Sequence, residues 1–147
     1  SRRLRIPPTL DEVCPWEGGI LSRLDDARWT DLVTEGGTLN RAWKRRLDGY
    51  ATYLRFLKDH GATVLFRPLH EMNQGKFWWG GRPGPDGTAR LYRLTREHLT
   101  RRHRLDNLIW VWDMQDMSRD FAAYDPGRRH WDVFAFDIYD RGYGQDW

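Results

Sequence analysis

Glu71 is the first residue of this 147-residue chain whose surroundings suggest chemistry. It follows the apolar run Thr63-Val64-Leu65-Phe66 and the link Arg67-Pro68-Leu69-His70, and three aromatics, Phe77-Trp78-Trp79, come within eight residues of it. A carboxylic acid among apolar rings is poorly solvated, which favours the protonated form a general acid needs. The same spacing also fits an exposed loop glutamate or one paired with Arg67. Asp137 and Tyr139 form a second candidate pair. They end another apolar run, Val133 to Phe136, and lie two residues apart, so their side chains share a direction. A carboxylate and a phenol so placed can bind hydroxyl groups or orient a second catalytic carboxylate, or they can be plain strand-end residues. His98 and His103 read as solvated members of a basic helix face, with no metal-ligand spacing. Cys14 is the single cysteine, so no internal disulfide, no cysteine metal cluster and no metal ligand are expected.

Three kinds of element must position these groups. From Thr38 to His60, Trp43, Leu47, Tyr50, Ala51, Leu54 and Leu57 recur at helical spacing, with Thr38 or Asn40 as the start and Gly61 as the stop. A second helix is expected from Thr88 to His103, after a Gly- and Pro-rich loop from Gly80 to Gly87. The strands are Thr63 to Phe66, Asn107 to Trp112 and Val133 to Phe136. Each is apolar on both faces, as parallel strands under helices are. Trp110 and Trp112 share one face, and core packing is the reading for Trp110. Residues 1–37 read as irregular, broken by Pro7-Pro8, Pro15, Gly18-Gly19 and Gly36-Gly37, with Leu21, Leu24 and Trp29 in a short helix or a loop. The order suits an α/β fold, either a βα-barrel or a doubly wound sheet. Polar residues gathered at the C-terminal ends of all three strands favour the barrel.

Composition narrows the function classes. Apolar residues at 39% and charged residues at 31% are those of a globular domain, and no run approaches a membrane span. The net charge of +3 comes from well-mixed charges without a recognised nucleic-acid module, so neither nucleic acid nor membrane is an expected partner. Nine tryptophans exceed what core filling needs, and point to ring stacking on a ligand or to a protein interface.

The run Val64-Leu65-Phe66-Arg67-Pro68-Leu69-His70-Glu71-Met72-Asn73, followed by Phe77-Trp78-Trp79-Gly80, resembles glycoside hydrolase family 26, best known for endo-β-1,4-mannanases. The likeness continues through Asn107 to Trp112, Tyr124-Asp125-Pro126-Gly127 and Phe136-Asp137-Ile138-Tyr139, so residues 38–140 carry the motifs. The resemblance implies a (β/α)8 TIM barrel, of which residues 1–147 form one partial catalytic domain running from about strand three or four to strand six. It makes Glu71 the acid/base of a retaining mechanism. Arg67 and His70 match residues around the cleaved bond, Phe77 and Trp78 the aromatic wall, and Asp137 and Tyr139 the end of strand six, where the tyrosine is expected to hold the nucleophile. Two departures follow. Lys76 stands where many members carry Trp, which puts the sugar preference in doubt. The nucleophile, a Glu ending strand seven, is expected beyond Trp147, so the isolated chain is expected to be inactive. The resemblance implies no cofactor, a polymeric β-mannan or related β-glycan (mixed-linkage β-glucan or β-xylan) as substrate, and a monomeric, secreted parent. The rival from another class is a non-catalytic β-glycan-binding protein.

Overall fold

The computed structural model describes residues 18–116 and 120–139. Its elements are α1 (Asp26–Val33), α2 (Thr38–Asp59), β1 (Val64–Phe66), α3 (Thr88–Glu97), a π-helical turn (His98–Arg102), β2 (Leu108–Gln115), a 3-10 turn (Phe121–Tyr124) and β3 (Val133–Asp137). The strands form one parallel sheet in the order β1-β2-β3, with Leu65 opposite Ile109 and Met114 opposite Phe136. Among the described residues no helix is long and apolar enough to cross a membrane.

The helix layer follows from the apolar periodicity. Trp43, Leu47, Ala51 and Leu54 of α2 are buried, and so are Leu91 and Tyr92 of α3. Trp110 projects from β2 into this layer, where its ring meets Tyr92 and Phe66 edge on. The helix start differs from expectation. Gly37 precedes α2 without a side-chain cap, and the carboxylate of Asp31 on α1 accepts from the N–H groups of Thr38 and Leu39 at 3.0 and 2.6 Å. Asn40 is instead buried and donates to the Leu32 carbonyl. The lead-in is correspondingly not irregular throughout. Asp25 caps the α1 helix by accepting from Arg28 N–H, and Trp29 is buried within it. The stop at Gly61 is as expected: its φ of 74° is in the left-handed region, and its N–H closes on the Lys58 carbonyl.

The strands are apolar on both faces, and the two faces are covered unequally. Trp110, Trp112 and Met114 are buried on one; on the other Val111 and Asp113 are buried, whereas Leu65 is 66% exposed and Ile109 and Val133 are also exposed. The expectation of a buried first strand is therefore corrected.

One buried contact between helices is a clean test of this packing. The Trp43 indole N–H donates to Thr95 Oγ1 at 3.0 Å, and that hydroxyl donates to the Leu91 carbonyl. Thr95→Val keeps the shape and strands the indole N–H, so unfolding stability should fall by about 1–3 kcal/mol. A urea melt with a lower midpoint and an unchanged slope is the expected readout.

Candidate active site

The loop from β1 to α3 leaves the sheet at its C-terminal edge and turns sharply. Leu69 and Glu71 have φ values of 55° and 48°, a region that non-glycine residues rarely adopt. The turn is held from below. Glu71 N–H donates to Asp113 Oδ2 at 2.9 Å, and Met72 N–H donates to the Asp113 carbonyl at 3.2 Å. Asn73 and Gln115 add a reciprocal pair, with Asn73 Nδ2 donating to the Gln115 carbonyl at 2.9 Å and Gln115 N–H donating to Asn73 Oδ1 at 2.8 Å. The return of the loop is equally tight, for a Cβ on Gly80 would lie 2.2 Å from the Gln74 carbonyl oxygen.

This frame buries the Glu71 carboxyl completely, with one oxygen hydrogen-bonded and the other in an ion pair. Tyr139, from the end of β3, donates its hydroxyl to Oε1. Lys76 Nζ lies 3.2 Å from Oε2 and sits over the Phe77 ring at 4.8 Å. The hydrogen bond to Glu71, with some burial and the nearby negative charges, pushes the Tyr139 phenol up to about 12. At neutral pH the phenol is therefore the donor to Glu71.

Arg67 is not the partner of Glu71. Its Nη1 bridges Asp113 Oδ2 at 2.9 Å and Asp137 Oδ2 at 2.6 Å, so one guanidinium ties the ends of all three strands together. Burial alone would lower its pKa, but the carboxylates of Asp137 and Asp113 outweigh that and hold it above its ordinary value. Burial pushes the Asp113 carboxyl up, and the Asp137 charge adds to this against the Glu71 N–H and the Arg67 guanidinium. Asp113 Oδ1 is buried with no hydrogen-bond partner among the described residues.

The aromatics divide into two groups. Phe77 and Trp79 stack with centroids 4.7 Å apart and planes 3° apart, and His70 packs against both rings. The Trp79 indole donates to the His70 carbonyl at 2.9 Å, and Thr88 at the start of α3 donates to the Trp79 carbonyl. Trp78, expected in the wall, is 2% exposed and meets Trp43 of α2 and Trp79 edge on. Trp78 nevertheless borders a surface cleft with Phe77, Gly80 and Arg82, while Trp79, whose ring stacks on Phe77, is fully buried.

The structure thus brings Glu71, Arg67, Asp137, Tyr139, His70 and Phe77 to one end of the sheet. Asp113, Asn73 and Gln115 were missed. Asp113 ends an apolar strand as Asp137 does, and that shared position was the available signal. His98 and His103 are a correction of another kind. They are not solvated: their side chains are 7% and 16% exposed, and both point at Asp48.

The sequence model of glycosyl hydrolase family 26 matches residues 26–146. A mannan endo-1,4-beta-mannosidase of Thermothelomyces thermophilus is 38% identical over 124 residues, covering 84% of this chain and 22% of that protein. One from Bacillus subtilis is 32% identical over 130 residues, covering 83% of this chain and 36% of its own length. Among solved structures, GH26A from Muricauda sp. MAR_2010_75 superposes with a TM-score of 0.80 at 34% identity, over 86% of this chain and 44% of the other. The chain therefore spans less than half the length of these relatives.

Proposed function

The chain belongs to glycosyl hydrolase family 26, and from that premise we propose that the protein carrying it is a retaining endo-β-1,4-mannanase with Glu71 as its acid/base. One observation carries the reading. A fully buried carboxyl group at a strand end is held between a phenol and an ammonium, beside a stacked aromatic pair. In this mechanism the acid protonates the leaving glycosidic oxygen and then, as a base, deprotonates the water that releases the sugar. A retaining site places its nucleophilic carboxylate about 5–5.5 Å from the acid. By the family resemblance that group is a Glu ending the seventh barrel strand, outside these residues. The exposed apolar side chains of Leu65, Ile109 and Val133 on one face of the three-stranded sheet support a closed (β/α)8 barrel in which β1, β2 and β3 are strands four, five and six. Leu65, Ile109 and Val133 would then line its interior, with Arg67, Asp113 and Asp137 at its mouth.

The substrate is a β-mannan chain, on the strength of the relatives' activity. Lys76 beside Glu71 supports a second reading, because an ammonium cannot stack on a sugar ring as an indole does. Cleavage of a related β-glycan is that alternative. Polymeric glycans do not enter cells, so the protein acts outside the cell.

The test is digestion of galactomannan, glucomannan, mixed-linkage β-glucan and β-xylan by the whole protein, with early products read by proton NMR. Initial products of β configuration from the mannans are expected. Initial α products would overturn the retaining mechanism, and cleavage of β-glucan or xylan alone would replace mannan as substrate. Binding without turnover on all four would make it a carbohydrate-binding protein.

A further inference from the structure

On the helix layer, α2 and the end of α3 bring three side chains to a point that the site at the strand ends does not use. Asp48 Oδ1 lies 2.7 Å from His98 Nε2 and 2.6 Å from His103 Nε2, and the candidate donor atoms of all three residues fall within 4.8 Å of one another. We propose that Asp48, His98 and His103 form a binding site for a divalent transition-metal ion, zinc foremost, that clamps α2 to the end of α3.

The backbone explains the convergence. In an α-helix, residues five apart point about 140° away from each other and cannot share a ligand. Residues 98–102 form a π-helical turn, whose wider i→i+5 hydrogen bonding brings the His98 and His103 rings to 5.2 Å between centroids. Such turns are energetically poor and recur at functional sites. Here the turn serves to present two imidazoles to one carboxylate from a helix 50 residues away in sequence.

The donor set selects the ion. Two imidazole nitrogens and one carboxylate oxygen suit zinc and its neighbours rather than calcium or magnesium, which favour oxygen donors. Metal–ligand bonds of about 2.0–2.2 Å set the donors roughly 3.3 Å apart in a tetrahedral site. The present separations of 2.6 and 2.7 Å to the shared oxygen need open by about 0.6–0.7 Å to match this. Burial lowers the His98 pKa against the pull of Asp48. The hydrogen bonds of the two histidines outweigh burial at Asp48 and hold its carboxyl below the usual range.

Three cations lie close, and each has somewhere else to be. Lys44 is paired with Glu35 at 2.5 Å, Arg55 donates to the His103 carbonyl at 3.1 Å, and the Arg102 side chain, 3.8 Å from Asp48, is largely exposed and free to swing out. Ligation through Nε2 moves the His103 hydrogen to Nδ1, so the 3.5 Å approach of Arg55 to that nitrogen opens while its bond to the carbonyl remains. A cleft bordered by Glu35, Lys44, Glu97, Arg101 and Arg102 opens beside His98.

The experiment is a calorimetric titration of zinc into chelator-stripped protein near pH 7.5. One ion per chain with Kd of about 10 µM or tighter is expected, together with a Tm raised by roughly 5–10 °C at a hundredfold excess over Kd. Asp48→Asn should weaken binding at least tenfold, and His98→Gln with His103→Gln should abolish it in protein that keeps its circular dichroism. X-ray absorption at the zinc edge of the unaltered protein requires no variant, and imidazole scattering from two ligands is expected there. No saturable heat up to millimolar zinc, a first shell of oxygen alone, or tight binding that survives in the folded double variant would each overturn the site.

Discussion

Replacing Glu71 by Ala in the whole enzyme is expected to lower turnover of β-mannan by about 10²–10⁴-fold, the range that positioned acid/base catalysis contributes. The loss should depend on the leaving group. An activated aryl glycoside departs without a proton, so its first step survives, and the glycosyl-enzyme then waits for a water that no longer has a base. Azide needs no deprotonation and should attack in its place, restoring part of the turnover and giving a β-glycosyl azide. Glu71→Gln keeps the shape and the hydrogen bond from Tyr139 but cannot exchange a proton, so it should be as slow as Ala on mannan. Tyr139 and Lys76, which now hold the two carboxyl oxygens, tie that geometry to the chemistry. Activity on mannan within tenfold of the unaltered enzyme would remove Glu71 from the mechanism.

What the sequence revealed and what it hid divide along physical lines. Helical periodicity was readable at α2 because Trp43, Leu47, Ala51 and Leu54 are buried by one continuous face. The apolar runs at Leu108 and Val133 became β2 and β3. Glu71, Asp137 and Tyr139 were legible because they end such runs. Other features depend on contacts between distant residues. The α2 cap comes from Asp31, seven residues before Thr38, where local preference pointed to Thr38 or Asn40 themselves. Which of Trp78 and Trp79 stacks on Phe77 and which meets Trp43 is decided by tertiary contacts, and adjacent positions in a loop carry no period to reveal it. The clustering of His98 and His103 needs a π turn, which residue spacing judged against an α-helix excludes. Arg67 was within reach of Glu71 in sequence, but two carboxylates from neighbouring strands outbid it.

The residue on which the site most depends, after Glu71, is Asp113. Its Oδ2 atom accepts both from the Glu71 N–H and from Arg67, so it fixes the acid's backbone in a strained conformation and the cation beside it. Asp113→Ala leaves the buried Glu71 N–H unpaired and Arg67 with Asp137 alone. Stability should drop by about 1–3 kcal/mol, and kcat should fall by about 10²-fold because a catalytic group misplaced by an ångström loses that much. Asp113→Asn separates geometry from charge. An amide oxygen can accept both bonds, and the amide nitrogen replaces Oδ1, which has no hydrogen-bond partner, so kcat should stay within about tenfold. The pH dependence carries the opposite sign to an ordinary ion-paired aspartate. The folded-state pKa of Asp113 is raised above 3.8 by burial, so the native state holds its proton more tightly than the unfolded state does. Its contribution is complete below 3.8 and is lost as pH rises through the folded value. The Asn variant does not titrate. Its Tm relative to the unaltered protein should therefore climb between pH 4 and pH 7. A difference that stays flat or falls would mean that the Arg67 pair, not burial, governs this carboxylate, and that removing its charge at neutral pH costs the site more than it relieves.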